Sequence, residues 1–202
     1  MKKKTLALLL SLVLVFGVVA GGTLAWLTAQ SETVVNTFTT SDINVKLAET
    51  KGDTTSDGKS FKMVPGKSIE KDPKAWVVAG SEDCYLFVKL DWANNTYTSG
   101  EETKQYLSYE IADGWTLVPN KANVYYRIVK AKQMSSDNGA TNSYPVLKNN
   151  TVTVSGDITK GQMNAFTDAT LPKLTVTAYA SQLYNNNTNF TPEAAWSNVG
   201  IN

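Results

Sequence analysis

From residue 33 onward the chain alternates apolar and polar positions in short runs, the period of strands that bury one face. Ile43, Val45 and Leu47 alternate with Asn44 and Lys46. In CYLFVKLDW (84–92), Cys84, Leu86, Val88, Leu90 and Trp92 share one face, and Tyr85, Phe87, Lys89 and Asp91 share the other. In PKLTVTAYASQ (172–182), Leu174, Val176, Ala178 and Ala180 are expected inward, with Thr175, Thr177 and Tyr179 outward. Further strands are predicted at 33–40, 61–64, 74–79, 115–118, 123–130 and 151–155. Turn signals separate them: Asp57-Gly58, Pro65-Gly66, Asp72-Pro73, Asp113-Gly114, Pro119-Asn120, Asn138-Gly139 and Asn149-Asn150. Short strands so punctuated predict an all-β fold, an antiparallel β-sandwich with jelly-roll or Greek-key connections.

Helical pattern is minor. Thr159 and Gln162 have capping-box spacing and predict a short helix over 160–166, weakened by Gly161. Thr191-Pro192-Glu193 is a helix start with Thr as N-cap, and the turn it opens through Trp196 is expected to pack on the sandwich. Residues 50–60, 135–143 and 185–190 read as polar loops.

The first 25 residues follow a different pattern. Lys2, Lys3 and Lys4 precede an uncharged apolar run from Leu6 to Ala20. As a helix that run would be ~22 Å long, short of the ~30 Å hydrocarbon core of a bilayer. Small residues then cluster, and Thr23 and Ala25 occupy the two recognition positions of a signal peptidase, placing the cut between Ala25 and Trp26. Residues 1–25 are thus expected to be a signal peptide, the one segment in contact with a membrane. An anchor retained through Leu27 is the alternative. Residues 26–202 are expected to form one domain.

Removing residues 1–25, with three lysines and no acids, takes the net charge from +1 to −2. No basic surplus remains for a nucleic-acid partner. Cys84 is the one cysteine, so no internal disulfide can form.

Candidate chemistry is sparse. The chain has no histidine, which removes HExxH zinc sites and histidine-based triads. Cys84 lies on the apolar face of a predicted strand and reads as core. Asp53, Asp57, Glu82, Asp83, Asp137 and Asp168 fall in predicted loops without calcium-loop spacing, so they read as solvated acids. LPKLT (171–175) has a superficial likeness to a sortase signal. It lacks the following apolar segment and basic tail, and reads as a strand entry. Glu101-Glu102 lies in a polar stretch with no apolar pocket around it, a poor fit to a glycosidase pair. No catalytic residue, metal ligand or cofactor is expected.

Residues 21–47 resemble the N-terminus of the TasA/camelysin family of Gram-positive bacteria, exported through the dedicated signal peptidase SipW. The likeness rests on Gly21, Gly22, Thr23 and Ala25 joined to Trp26, then Asn36, Phe38 and Thr39, then Ile43, Asn44, Val45 and Leu47. PGKSIEKDP (65–73) and the approach from Gly80-Ser81-Glu82-Asp83 into Tyr85, Phe87, Val88 and Lys89 are similar to further family segments, as are Tyr125-Tyr126-Arg127 and Ala178-Tyr179-Ala180. Thr40 or Ser41 stands where many relatives have Gly, and Thr28 where Asp or Asn often follows the aromatic residue. The resemblance implies secretion to the cell surface or extracellular matrix. For TasA it implies a fibre-forming biofilm protein, and for camelysin a surface metallopeptidase. The missing histidine favours the structural role.

Strand chemistry supplies a mechanism for that role. Cleavage would free WLTAQSETVVNTF, so residues 26–38 are a candidate assembly strand with Leu27, Val34, Val35 and Phe38 as apolar anchors. The expected partners are further copies of the chain, other matrix proteins and, during export, the signal peptidase. Pairing of this segment within its own domain is the simpler alternative. Three functions are thus expected candidates: a matrix or filament subunit, a camelysin-like peptidase, and a non-polymerising surface binding module, for which Tyr85, Phe87, Tyr125 and Tyr179 would suit a binding face.

Overall fold

The CYLFVKLDWA alternation builds the central strand of a four-stranded antiparallel sheet. Its order is β10 (Thr116–Leu117), β11 (Val124–Val129), β6 (Cys84–Ala93) and β14 (Lys173–Gln182). A computed structural model describes residues 42–55, 58–185 and 188–200. The signal peptide, its cleavage residues Thr23, Ala25 and Trp26, the strand expected at 33–40, and Leu27, Val34, Val35 and Phe38 lie outside the described residues.

Facing this sheet are two three-stranded antiparallel sheets, β1 (Val45–Ala48), β5 (Lys74–Val77), β12 (Tyr144–Pro145) and β4 (Ser68–Glu70), β13 (Leu147–Val154), β9 (Leu107–Ile111), each in the order β1-β5-β12 and β4-β13-β9. They are two halves of one kinked layer, because the same two chain segments, 68–77 and 144–154, pair in both. Between the pairs Glu70↔Thr151 and Lys74↔Pro145, residues 71–73 face the longer stretch 146–150. Asn149 and Asn150 absorb the excess with φ of 54° and 52°, a bulge that breaks the ladder register. The amide of Lys71 donates to the carbonyl of Asn150 at 2.7 Å, and that of Val146 to Pro73 at 2.9 Å, so pairing resumes on either side. Apart from the consecutive β10 and β11, neighbouring strands in both layers are distant in sequence, as in the Greek-key class of sandwich.

The core lies between the layers. Cys84, Leu86, Val88 and Leu90 project from β6 onto Ala75, Val77, Leu107, Val152 and Val154, with Leu174, Val176, Ala178 and Ala180 packed alongside as the alternation predicts. The opposite face of β6 is covered over its first half and reaches solvent at Lys89 and Asp91. Tyr85 and Phe87 are buried beneath a C-terminal helix, so they offer no binding face. Tyr179 packs partly buried in the same cluster, and Tyr125 against the main core.

Both helices form where their caps predict: α1 over Lys160–Ala165 and α2 over Pro192–Ser197. In α2, Thr191 Oγ1 accepts the amide of Ala194 at 3.2 Å, and Pro192 fills the first turn. The Trp196 ring lies 5.3 Å from Phe87 and 5.4 Å from Tyr179. Tyr85 Oη donates to the carbonyl of Phe190 at 2.7 Å.

Three expectations are corrected. Residues 61–64 form no strand: Phe61 and Met63 alternate in burial but have no ladder partner. Asn149-Asn150 lies within β13, at its bulge, and does not end a strand, whereas Asp72-Pro73 separates β4 from β5 as expected. The polar stretches 50–60 and 185–190 carry hairpins, β2 (Asp53–Thr55) with β3 (Gly58–Ser60) and β15 (Tyr184–Asn185) with β16 (Thr188–Asn189). A further hairpin, β7 (Thr96–Ser99) with β8 (Glu102–Gln105), has no hydrophobic run to announce it.

Candidate functional site

Sheet edges expose unpaired main-chain groups, and proteins blunt them with short strands, charges, prolines or bulges. Most edges here are blunted. β10 is two residues long with Pro119 just beyond it, β12 is two residues long and contains Pro145, and β4 ends in Glu70. β1 carries Lys46, which pairs with Asp137, and β9 carries Glu110, held by Lys148 at 2.7 Å.

β14 differs from all of these. It pairs with β6 over ten residues in unbroken register, from Lys173↔Ala93 to Gln182↔Cys84. After Lys173 it reads LTVTAYASQ, with no charge, no proline and no bulge. Among the described residues no strand pairs with its other side.

Beside this edge the sandwich opens into a cleft of about 850 Å³. One side is formed by the end of β1, Leu47 and Ala48, followed by Glu49. The other is formed by the start of β14, Lys173–Val176. Met63, Ile69, Trp92, Leu107 and Val152 supply an apolar floor continuous with the main core. A strand added along β14 would alternate its side chains, sending every second one toward this floor.

The polar groups of the cleft are ordered by the kink. Lys71 Nζ donates to both Glu49 oxygens, at 3.0 and 2.9 Å, and lies 4.9 Å from the centre of the Phe61 ring. The side chains of this pair are 12% and 17% exposed, shielded enough to be stronger than an ordinary surface bridge. Next to it, buried Asp72 accepts the Thr50 and Lys51 amides at 3.0 and 2.8 Å and the Thr50 hydroxyl at 2.5 Å. Burial raises the pKa of this carboxyl, but the hydrogen bonds from Thr50 and Lys51 outweigh it and leave the value below the ordinary range. Above them the Phe61 ring covers Gly52 (φ +83°) so closely that a Cβ there would meet it at 2.7 Å.

The acidic residues read from the sequence do not converge. Asp83 is held by Lys130 at 3.0 Å and by the amide of Ala131 at 2.8 Å, which lower its pKa. Asp137 pairs with Lys46 on β1, and Asp168 lines the cleft. Asp53 and Glu82 are exposed, Glu101 and Glu102 lie on the β7–β8 hairpin, and Asp57 is outside the described residues. Among the described residues no three His, Cys, Asp or Glu side chains gather as a metal site would require. Cys84 is buried, and burial pushes its thiol up to about 12. LPKLT is the entry to β14, with Leu171 and Pro172 on the cleft rim.

Sequence reading missed the cleft because seven separate stretches of the chain build it. The open edge did leave a signal, the charge-free run from Leu174 to Gln182. No protein-family model, curated protein or solved structure matches the chain.

Proposed function

We propose that the protein is an exported structural subunit of the cell surface or extracellular matrix, polymerising by strand addition between copies. The donor is the segment 26–38 freed by signal-peptide removal, and the acceptor is the outer edge of β14 with its adjoining cleft. The observation that supports this reading is the ten-residue edge of β14, charge-free after Lys173, with which no further strand pairs among the described residues.

Main-chain hydrogen bonds to β14 would supply affinity, and the cleft would take alternate side chains of the incoming strand. Each Leu, Val or Phe buried there contributes roughly 1.5–3 kcal/mol before ordering costs. A contact between two different surfaces of identical subunits does not close on itself, so it propagates as a filament. The resemblance of residues 21–47 to the TasA/camelysin family supports the same reading.

The test compares the secreted protein with and without residues 26–35 by electron microscopy. The intact form is expected to make fibres and the shortened form to remain monomeric. Equal assembly by both would sink the proposal.

A further inference from the structure

The cleft has the size and lining of a small-molecule site as well as of a strand acceptor. Its about 850 Å³ lies within the roughly 300–1,000 Å³ of such sites, and its apolar floor is joined by the charged groups of Glu49, Lys59, Lys71, Asp168 and Lys173. Those polar groups are unevenly charged. Lys71 and Glu49 neutralise each other, yet Lys71 has three N–H donors and Glu49 takes two of them. Of the remaining lining charges, Lys59 and Lys173 are positive and Asp168 is negative. Among the described residues Lys59 donates only to the Thr54 hydroxyl, and none of the three has an ion-pair partner. Lys59 and Lys173 thus line the cleft against one carboxylate unpaired among the described residues, Asp168, beside an apolar floor, a composition suited to a chain with an anionic head.

We infer that the cleft binds a single-chain anionic amphiphile, such as a fatty carboxylate, and that this ligand competes with strand addition at β14. The chain lies over Met63, Ile69, Trp92 and Val176, and the head group is drawn to Lys59, Lys71 and Lys173. The binding claim is independent of the proposed function; only the competition rests on it.

The experiment uses the full secreted protein with 11-(dansylamino)undecanoic acid, and with its uncharged primary amide as control. Binding is read as energy transfer from tryptophan to dansyl. The acid is expected to bind more tightly than the amide, and Trp92→Phe, which removes the one tryptophan lining the cleft among the described residues, to reduce the transfer. Leu174→Trp, which fills the cleft, is expected to abolish binding, with folding checked by near-UV circular dichroism. Lys59→Glu with Lys173→Glu alters lining charges outside the core and keeps the test valid should Leu174→Trp misfold. That pair is expected to weaken the acid by roughly threefold to tenfold and leave the amide unchanged. No binding, equal binding of acid and amide, or acid binding indifferent to the charge reversals would overturn the inference. In a parallel assembly assay, saturating acid is expected to suppress fibres. Fibres that grow unchanged with the cleft occupied would overturn the competition and count against β14 as acceptor, while leaving ligand binding intact.

Discussion

The main-chain amide of Lys71 donates to the carbonyl of Asn150 at 2.7 Å, across a kink that divides one layer of the sandwich in two. On the Lys71 side, Asp72 and Pro73 carry the chain through the bend. On the other, Asn149 and Asn150 turn left-handed to take up the longer segment. The same residue presents its side chain to Glu49 in the cleft, so the kink that interrupts the sheet also places the cleft's charged pair.

Asn149 is exposed at φ 54°, so its role is conformational. Asn149→Gly is expected to change stability by no more than a few tenths of a kcal/mol, because glycine adopts this region freely. Asn149→Val is expected to cost about 1–2 kcal/mol, from the clash of a branched Cβ in left-handed backbone. Urea denaturation of the three proteins measures both.

Trp196 closes the outer aromatic cluster against Phe87 and Tyr179. Trp196→Ala is expected to destabilise the domain by about 3–5 kcal/mol, as large truncations in packed sites do. Trp196→Phe should cost clearly less. A denaturation midpoint for the Ala variant equal to that of the wild type would remove α2 from the folding unit.

Asp72 makes stability depend on pH in a defined direction. Its folded pKa is lowered, so the charged form is favoured by folding. The stabilisation is fully present above the unfolded value of about 4 and is lost as pH falls through the lower folded value. Asp72→Asn is expected to lower stability at neutral pH by about 1–2 kcal/mol. The gap to wild type should narrow on acidification, as read from urea midpoints between pH 2 and 7. A gap that widens at low pH would contradict the assignment.

Cys84 is fully buried with its thiol raised to about 12 by burial. A thiol reagent such as Ellman's is expected to leave the native protein unmodified at pH 8 and to titrate one thiol in denaturant. Stoichiometric reaction of the native state would place Cys84 outside the core.

The legible parts of the fold were those where one physical signal suffices. Period-two alternation located both faces of β6 and the inward row of β14, and Thr159 and Thr191 announced their helices through capping chemistry. Where two signals share residue types, reading failed. Asn149-Asn150 carries the same residues as a loop, and only the pairing of β13 on both sides of it reveals a bulge within a strand. The β7–β8 hairpin was invisible because TYTS and ETKQ have almost no apolar content. Tyr85 and Phe87 were assigned their correct face, but a cover some 110 residues later in the chain, Trp196, lies beyond any local pattern. The cleft joins Leu47, Met63, Ile69, Trp92, Val152 and Leu174 from widely separated stretches, so no window contains it.

Hydrogen exchange at residues 173–182, followed by mass spectrometry in the secreted monomer and its assembled form, tests the acceptor edge most directly. Assembly by strand addition predicts that β14 amides facing away from β6 exchange readily in the monomer and become protected at least tenfold in the fibre. Fibres whose β14 exchange matches that of the monomer would contradict the account.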